Sequence, residues 1–382
     1  MRIGIDINPL TETRTGVGNY LYEILLWLNE NAKHHEFFLY SPASDYLELP
    51  KLGKNFHLTK LQSKHRNIAN QTELPKLLKN DQIEVFWGSA FHLPARNRYT
   101  KNIRFVLTIH DLWAEFSPLA PKSLKLNLIA HLMRRDAKNA DTIIAISEYT
   151  KREIRRHYGI PAKKIPVTYL APSTFDQKTP TRAEETKILK KYHLVDDDGN
   201  LIDYLFFLST IQPRKNLDTA IKAFNLYKSE HEGSNLKFIV AGNRGWGSDQ
   251  TFELMENSPY KSDIIRPGYI TTEKSVFYRN ARAFVYPSLC EGFGLPVLEA
   301  FAYNCPVITA KNSSLPEVGG DAAFYINKAT DEKSLAALIE TVVNQSALSR
   351  EKRILMGKKQ LSKFSWEKCA RETLEIIEGN KK

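Results

Sequence analysis

Short runs rich in β-branched and aromatic residues alternate with segments of helical spacing along most of this chain. Parallel strands need a crossover connection between them, usually a helix, so this alternation is typical of parallel sheets covered by helices. The predicted strands of the first half are residues 2–7, 37–41, 84–88, 104–110, 142–147 and 166–170, and those of the second half are 204–210, 236–242, 263–270, 283–288, 306–310 and 322–327. The sequence therefore predicts an α/β fold with two doubly wound, Rossmann-like units.

The alternation lapses between the two halves, where Pro172, Pro180 and the run DDDGN interrupt it, although residues 182–192 keep a helical spacing. A chain of 382 residues also exceeds what one hydrophobic core usually covers. We expect a first unit over 1–172, a linker region over 173–203, a second unit over 204–363, and a final helix within 364–382 that could reach back to the first unit.

The cysteines and the apolar runs limit the class of protein. Cys290, Cys305 and Cys369 include no close-spaced pair, so neither a disulfide framework nor a cysteine-based metal site is expected. No uncharged apolar run reaches the length that spans a bilayer. The N-terminal stretch MRIGIDINPL alternates like a strand and lacks the apolar region and cleavage site of a signal peptide. We therefore expect a cytoplasmic protein.

The net charge of +11 is unevenly distributed. Residues 1–175 contain 25 lysines and arginines against 16 acidic residues, whereas residues 176–382 contain 29 against 27. Such a bias concerns partners and not the fold, and it allows either nucleic acid or an anionic membrane surface. No motif that interleaves aromatic and basic residues supports nucleic-acid recognition, so no nucleic-acid partner is expected.

The segment 122–139 carries part of this positive charge on an amphipathic pattern. Its apolar positions fall on one helical face and its basic residues surround that face; they are Leu124, Leu128, Ile129, Leu132 and Met133, and Lys122, Lys125, Arg134, Arg135 and Lys138. The apolar face is either ordinary core with solvated charges behind it or a surface that docks on an anionic leaflet. The second interpretation makes the protein peripheral at the inner face of a membrane.

In doubly wound sheets ligands bind beyond the carboxyl ends of the strands, so the loops that follow the strands are the candidate sites. The first of them contains Gly16 and Gly18 and then opens a helix, whose N-terminal N–H groups suit an anion. This loop does not match G-x-G-x-x-G, which argues against a nicotinamide dinucleotide. His110 ends the strand 104–110, where it either acts within a cleft or is satisfied by a backbone carbonyl.

Two loops of the second half carry charge. Arg214 and Lys215 stand at a strand-to-helix corner, where they suit a diphosphate or are simply solvated. The stretch CEGFGLPVLEAF places Glu291 at a strand end and Glu299 about one turn into a helix that begins near Leu295. Ionised carboxylates only accept hydrogen bonds, so two of them around a glycine turn are natural holders of hydroxyl groups.

Several segments, in this order, resemble family-four retaining glycosyltransferases of GT-B fold: GVGNY, TIHD, AISEYTKREI, STIQPRKNL, SLCEGFGLPVLEAFAYNCPVI and SSLPEVGGDAAFYI. They span nearly the whole chain. The resemblance implies two Rossmann-like domains around a cleft, a nucleotide-sugar donor held mainly by the second domain, and no metal or other cofactor. The spacing from Glu291 to Glu299 matches the Glu-x7-Glu motif of that family.

The resemblance also implies roles for individual residues. Glu291 would hold hydroxyls of the donor sugar and Glu299 the ribose diol, while Arg214 and Lys215 would neutralise the leaving diphosphate. His110 would lie near the transferred sugar, and the loop of Gly16 and Gly18 would close over phosphate and acceptor. The remaining donor-binding positions are the cradle of Gly292, Phe293, Gly294 and Leu295 and the base-contacting segment with Tyr269 and Ile270.

Two departures from the family pattern occur. Ser209 and Thr210 stand where many relatives have Gly-Arg, so either Arg214 replaces that arginine or the phosphate is held less firmly. Asn304 stands where a glycine is usual after the second glutamate, and asparagine tolerates a left-handed backbone.

The expected function is therefore transfer of a hexose, with retention, from a nucleotide sugar to a saccharide or lipid-linked saccharide. The phrase PRKNL resembles mannosyltransferases of surface polysaccharide assembly, which makes GDP-mannose the first donor to test. Two alternatives stay open from the sequence: a nucleotide-sugar-binding protein without turnover, and a sugar-nucleotide epimerase of the same architecture.

Overall fold

The computed structural model describes residues 1–11, 16–42, 47–63, 66–117, 120, 123–172 and 180–379. The chain divides into two compact units. The first contains residues 1–171 together with 364–382, and the second contains residues 172–363. Each unit has its own six-stranded sheet.

In the first unit every strand pairs in parallel and the strand order is β3-β2-β1-β4-β5-β6. This is the order of a Rossmann sheet. The strands are β1 (Arg2–Asp6), β2 (Glu36–Ser41), β3 (Phe56–Lys60), β4 (Val85–Gly88), β5 (Arg104–Ile109) and β6 (Thr142–Ala145). The helices are α1 (Gly16–Asn31), α2 (Arg66–Thr72), α3 (Leu74–Asn80), α4 (Trp113–Phe116), α5 (Leu124–Asn139) and α6 (Glu148–Tyr158).

The second unit repeats this topology, with the parallel order β12-β11-β10-β7-β8-β9. Its strands are β7 (Tyr204–Leu208), β8 (Lys237–Ala241), β9 (Ile264–Gly268), β10 (Ala283–Tyr286), β11 (Val307–Ala310) and β12 (Phe324–Ile326). Its helices are α7 (Arg182–Lys191), α8 (Leu217–Glu230), α9 (Asp249–Glu256), α10 (Glu273–Asn280), α11 (Leu295–Ala302), α12 (Leu315–Gly319), α13 (Glu332–Val343) and α14 (Ala347–Leu361).

The fold class predicted from the sequence is confirmed, and eleven of the twelve predicted strands are present. The strand predicted at 166–170 is wrong, because pairing there is limited to a single bridge between Val167 and Ala145. Pro166 has no N–H to donate to a ladder. The sixth strand of the first sheet is instead β3, an edge strand whose residues are half-buried or exposed and which therefore lacks a strong apolar pattern.

The last helix, α15 (Trp366–Glu378), packs against α1 and belongs to the first unit. His35 Nε2 lies 2.8 Å from a carboxylate oxygen of Glu378, and the Arg104 guanidinium donates to the carbonyl oxygens of Ile376, at 2.8 Å, and Ile377. Within the predicted linker region, α7 packs on α10 of the second unit, while residues 173–179 lie outside the described residues.

The strand order places a topological switch point in each sheet, between β1 and β4 in the first unit and between β7 and β10 in the second. Connections leave the two strands on either side of such a point in opposite directions, which opens a crevice beyond their carboxyl ends. The loops after β1 and β4 in the first unit and those after β7 and β10 in the second therefore border the crevices, and the loop after β5 lies next to the one after β4.

The loop after β7 is held against the loop after β8 by a glycine. Gly242 has φ +131°, and a Cβ on it would lie 1.8 Å from the carbonyl oxygen of Ser209. We predict that Gly242→Ala lowers the free energy of unfolding by on the order of 3 kcal/mol. Gly233→Ala is the matched control, because Gly233 also has positive φ, +79°, but nothing lies within 4 Å of its Cβ position.

The control variant is expected to lose only about 1 kcal/mol, the cost of the left-handed backbone alone. Urea unfolding of both variants measures the difference. Equal losses would show that the two loops do not meet as closely as described.

Candidate functional site

Glu291 is the centre of a charged cluster at the switch point of the second unit. It follows β10, and its side chain is buried together with Lys215, which follows β7. Arg214 and Lys215 occupy a short 3-10 turn, Pro213–Lys215, directly before α8. The structure thus brings together three of the residues that the sequence singled out.

Both carboxylate oxygens of Glu291 accept hydrogen bonds. Lys215 Nζ lies 2.7 Å from Oε1, and Arg214 Nη1 lies 3.1 Å from Oε2. The hydroxyls of Tyr286 and Ser288 donate to Oε1 at 2.8 and 2.6 Å. Tyr286 also accepts from Lys215 Nζ at 2.6 Å, so its phenol links the cation to the carboxylate.

Burial alone disfavours the ionised form of Glu291. The charges of Lys215 and Arg214, with the hydrogen bonds from Lys215 and Ser288, outweigh that penalty and lower the pKa of Glu291 to about 2. The carboxylate is therefore ionised at neutral pH. With two cations and one anion, the cluster carries a net charge of +1 and suits an anionic ligand.

The backbone around the cluster is fixed by Asn216. This residue has φ +55°, a left-handed conformation that asparagine tolerates, and it joins the 3-10 turn to α8. Its Nδ2 donates to the carbonyl oxygens of Pro287 at 2.9 Å and Ala329 at 2.7 Å. Leu289 N donates to Arg214 O at 2.9 Å, so the loops after β7 and β10 are tied to each other.

The turn from Gly292 to Leu295 leads from Glu291 into α11. Gly294 has φ +108°, which favours glycine, and Phe293 is buried. Ser314 Oγ hydrogen-bonds to the carbonyl oxygens of Glu291 and Phe293, at 2.8 and 2.7 Å, and so fixes the turn from behind. Because the Phe293 side chain is packed inside, this turn can offer a ligand chiefly its backbone.

Glu299 lies one turn into α11, as predicted, and α10 holds its carboxylate. Lys274 Nζ lies 3.0 Å from Oε1, and the Tyr278 hydroxyl donates to Oε2 at 3.3 Å. Two neighbouring residues of the loop between β9 and α10 differ in exposure: Tyr269 is 64% exposed, whereas Ile270 is buried. These residues share the carboxyl edge of the second sheet with Glu291, and their contacts with a donor stay predictions.

In the first unit, His110 follows β5 and is buried. Its Nε2 lies 3.0 Å from the carbonyl oxygen of Ser89, which can only accept, so Nε2 carries the proton and Nδ1 is the acceptor nitrogen. Burial lowers the pKa of His110 to about 4, against the opposing effect of the Ser89 hydrogen bond. The structure shows one of the two arrangements considered from the sequence, a ring satisfied by a backbone carbonyl, and a role within a cleft stays a prediction.

Gly16 and Gly18 lie in the first turn of α1, Gly16 exposed and Gly18 buried. Residues 12–15 of the same loop lie outside the described residues. Of the two departures from the family pattern, Ser209 lies against Gly242, and Asn304 has φ +59°, the left-handed conformation that the sequence predicted it to accept.

Sequence reasoning missed the residues that position the charged groups, namely Tyr286, Ser288, Lys274 and Tyr278. In the sequence Tyr286 is typical of an aromatic residue buried in a strand. Only its place at the carboxyl end of β10 indicates that its hydroxyl could contact a polar group at the site. Within the described part of the chain, His34, His35 and Glu378 form a group whose potential metal-ligand atoms lie within 4.8 Å of one another. His35 precedes β2, so this group lies at the opposite, amino edge of the first sheet.

The lowered pKa of His110 predicts a pH-dependent stability. Below pH 6.5 an unfolded histidine takes up a proton that the folded His110 refuses until about pH 4, so stability falls as pH drops through that window. Between pH 7 and pH 5 the parent protein should lose about 2 kcal/mol more unfolding free energy than His110→Asn, which has no group to protonate at this position. Urea unfolding of both proteins at both pH values measures this difference. Equal losses of unfolding free energy in the two proteins would contradict the burial of a neutral ring.

Comparisons with known proteins agree with this architecture. The sequence profile described as Glycosyl transferases group 1 matches residues 195–360, and that described as Glycosyltransferase Family 4 matches residues 14–171. The chain is 29% identical to O-antigen chain mannosyltransferase B of Escherichia coli over 390 residues, which covers 98% of each chain. It is 25% identical to O-antigen chain mannosyltransferase RfbU of Salmonella typhimurium, over 88% of this chain and 90% of the relative.

Among solved structures, HepE of Anabaena in complex with UDP-glucose superposes with a TM-score of 0.69 at 14% identity, over 99% of this chain and 100% of that one. At this identity the similarity establishes the fold alone. The family 4 profile matches the first structural unit and the group 1 profile matches the second, and together they cover most of the chain. The chain is therefore a glycosyltransferase of the GT-B fold and belongs to glycosyltransferase family 4.

Proposed function

We propose that this glycosyltransferase moves a hexose, mannose in the first instance, from a nucleotide sugar to a saccharide or lipid-linked saccharide, with retention of anomeric configuration. The names of two full-length relatives, both O-antigen chain mannosyltransferases, support mannose and a polysaccharide product. GDP-mannose is the first donor we propose. The alternatives without transfer, a nucleotide-sugar-binding protein or an epimerase, are disfavoured by the same relatives.

The observation that carries the proposal is the cluster of Glu291, Arg214 and Lys215. Breaking the bond between the sugar C1 and the diphosphate oxygen leaves negative charge on that oxygen, and a fixed cluster with net charge +1 stabilises it without reorganisation. The acceptor oxygen bonds to C1 from the same face, and its proton passes to the departing phosphate. The two side-chain cations do the work that a divalent metal does elsewhere, so we propose that no metal is needed.

Further groups at the same edge fit the rest of a donor. The ionised carboxylate of Glu291 can accept from sugar hydroxyls, and Glu299 can accept from the ribose diol. The exposed ring of Tyr269 and the neighbouring backbone suit the nucleobase. In the first unit, the α1 N-terminus at Gly16 and Gly18 suits phosphate or acceptor, and His110 the transferred sugar.

Lys215→Met tests the cluster, and Lys228→Met is its matched control. Lys228 is equally buried and pairs with Asp263 at 2.8 Å, but Asp263 precedes β9 and so lies at the opposite edge of the sheet. Both variants lose a buried ion pair and are expected to lose stability. Only Lys215→Met should lower kcat for transfer from GDP-mannose, by about 100- to 1,000-fold.

Radiolabelled transfer from GDP-, UDP- and dTDP-sugars, with stability measured alongside, provides the comparison. Equal loss of transfer in the two variants would remove the cluster from the chemistry. Product formed with inverted configuration would refute the same-face displacement.

The metal-free proposal makes a separate prediction. We expect the rate of transfer to be unchanged after dialysis against EDTA, because Arg214 and Lys215 supply the positive charge that the leaving group needs. The rate before and after chelation is the measurement. Loss of activity that Mg²⁺ or Mn²⁺ restores would show that the two cations do not replace a metal.

The first unit offers a surface for a lipid-linked acceptor. On α5, Leu124 is 89% exposed and Leu128 is 58% exposed, whereas Ile129, Leu132 and Met133 are half-buried. The N-terminal half of the predicted apolar face is thus not core. Arg134 and Lys138 are exposed on the same helix, Lys122 lies outside the described residues, and no described helix is long and apolar enough to cross a bilayer.

We propose that this end of α5 docks on an anionic leaflet. Apolar side chains insert at the interface, and each nearby lysine or arginine adds roughly 1 kcal/mol of attraction that salt weakens. Leu124→Ser with Leu128→Ser is expected to reduce co-sedimentation with vesicles containing anionic lipid at least fivefold. The control pair is Leu348→Ser with Leu355→Ser, two exposed leucines on α14 of the second unit. Unchanged partitioning of the α5 variant would leave a soluble acceptor as the better account.

A further inference from the structure

The segment 88–93, which begins at the last residue of β4 and continues into the loop after it, is held by several specific contacts. A Cβ on Gly88 would lie 2.4 Å from the carbonyl oxygen of His92, so the loop folds back tightly on itself. Ser89 Oγ donates to the carbonyl oxygen of Asp6, at 2.6 Å, across the switch point between β1 and β4. The other end of the loop is held by Asp136 of α5, whose Oδ2 accepts a hydrogen bond from the backbone N–H of Leu93 at 3.2 Å.

Phe91 lies at the middle of this loop in a left-handed conformation, with φ +64°. Asparagine, aspartate and glycine adopt this region readily, whereas a bulky aromatic side chain there is a true outlier. The backbone N–H of Phe91 donates to the carbonyl oxygen of Thr108 in β5, at 3.0 Å, which holds the residue in place. Strain of this kind persists only where the surroundings fix it, and it concentrates at functional sites.

The Phe91 ring is half-buried and adjoins His110. The two ring centroids are 5.5 Å apart with an interplanar angle of 58°. Ser89, two residues earlier in the loop, supplies the carbonyl oxygen that fixes the His110 tautomer. One strained loop therefore sets both the acceptor nitrogen of His110 and an aromatic ring beside it, at the carboxyl edge of the sheet.

We propose that Phe91 is a substrate-contacting residue, an aromatic platform for a pyranose ring of the acceptor saccharide. One face of a pyranose presents C–H groups, which pack on an aromatic ring, while its hydroxyls point outward to acceptors such as His110 Nδ1. The Phe91 side chain packs in part against the hydrophobic core of the first unit, and its remaining exposed surface is what we assign to the saccharide. The inference rests on the proposed function, because it assigns the acceptor of that reaction to the first unit.

The test separates aromatic contact from bulk. Phe91→Leu keeps an apolar side chain and loses the ring, and Phe91→Tyr keeps the ring. The donor is GDP-mannose, and the acceptors are the methyl α-glycosides of mannose, glucose, galactose and N-acetylglucosamine, of which the best substrate is used. Phe91→Leu is expected to raise the KM for that acceptor at least tenfold, with the KM for GDP-mannose unchanged, while Phe91→Tyr stays within twofold of the parent.

Phe116→Leu is the matched control, since Phe116 is another partly exposed phenylalanine of the same unit, stacked on His157 with centroids 3.7 Å apart. It should leave both KM values unchanged. An unchanged acceptor KM in Phe91→Leu, with turnover intact, overturns the platform and leaves the proposed function standing. Turnover with none of the four glycosides overturns the platform for a simple pyranose acceptor but not the proposed function, which also allows a lipid-linked saccharide.

A second measurement checks the strain. Phe91→Gly and Phe91→Ala both remove the ring, and they differ in whether a Cβ remains at positive φ. The glycine variant is expected to melt at the higher temperature of the two, and both should show the raised acceptor KM. An alanine variant that melts at or above the glycine variant would show that the loop is not strained at Phe91 and would overturn the argument that the surroundings impose this position.

Discussion

The second unit depends on one interaction, the buried carboxylate of Glu291 held by Lys215 and Arg214. Burial by itself disfavours the charge of that carboxylate and raises its pKa; the two cations reverse this and hold the pKa of Glu291 at about 2. The bonds also join the loops after β7 and β10, which the chain separates by more than 70 residues. The same contacts therefore define the charge of the crevice and its shape.

The two sheets share one topology, and this explains where the candidate residues are found. In each unit the crevice opens at the switch point. In the second unit Glu291 and Lys215 follow the two strands beside it, whereas in the first unit Phe91 follows β4, beside it, and His110 follows β5, one strand further. The first unit holds a neutral histidine and an aromatic ring, whereas the second holds fixed charge. This difference fits a saccharide bound by the first unit and a nucleotide diphosphate bound by the second.

The fold was largely predictable from the sequence, because a parallel sheet buried on both faces leaves continuous apolar runs. Strand β3 was not predicted because it lies at the exposed edge of the sheet and lacks a strong apolar pattern. The strand predicted at 166–170 was wrong because a short apolar run that includes Pro166 cannot continue a ladder. That Arg214, Lys215 and Glu291 lie in loops after strands was predictable from the sequence, whereas the ion pairs between them were not. Tyr286, Ser288 and Phe91 were not predictable either, because an aromatic or a serine in an apolar context gains its role only through neighbours distant in sequence.

The central claim is that the ion cluster serves the chemistry and not only the fold, and a double-mutant cycle on Glu291→Gln and Lys215→Met tests it most directly. Each single variant removes one partner of the Lys215–Glu291 ion pair and leaves the other without it, so the loss in the double variant should be smaller than the sum of the two single losses, by at least 1 kcal/mol. Transfer should stay at least 100-fold below the parent in all three variants, since each lacks at least one of the groups that we propose contact the sugar and the diphosphate. Recovery of transfer together with stability in the double variant would contradict the account and leave the cluster a structural device.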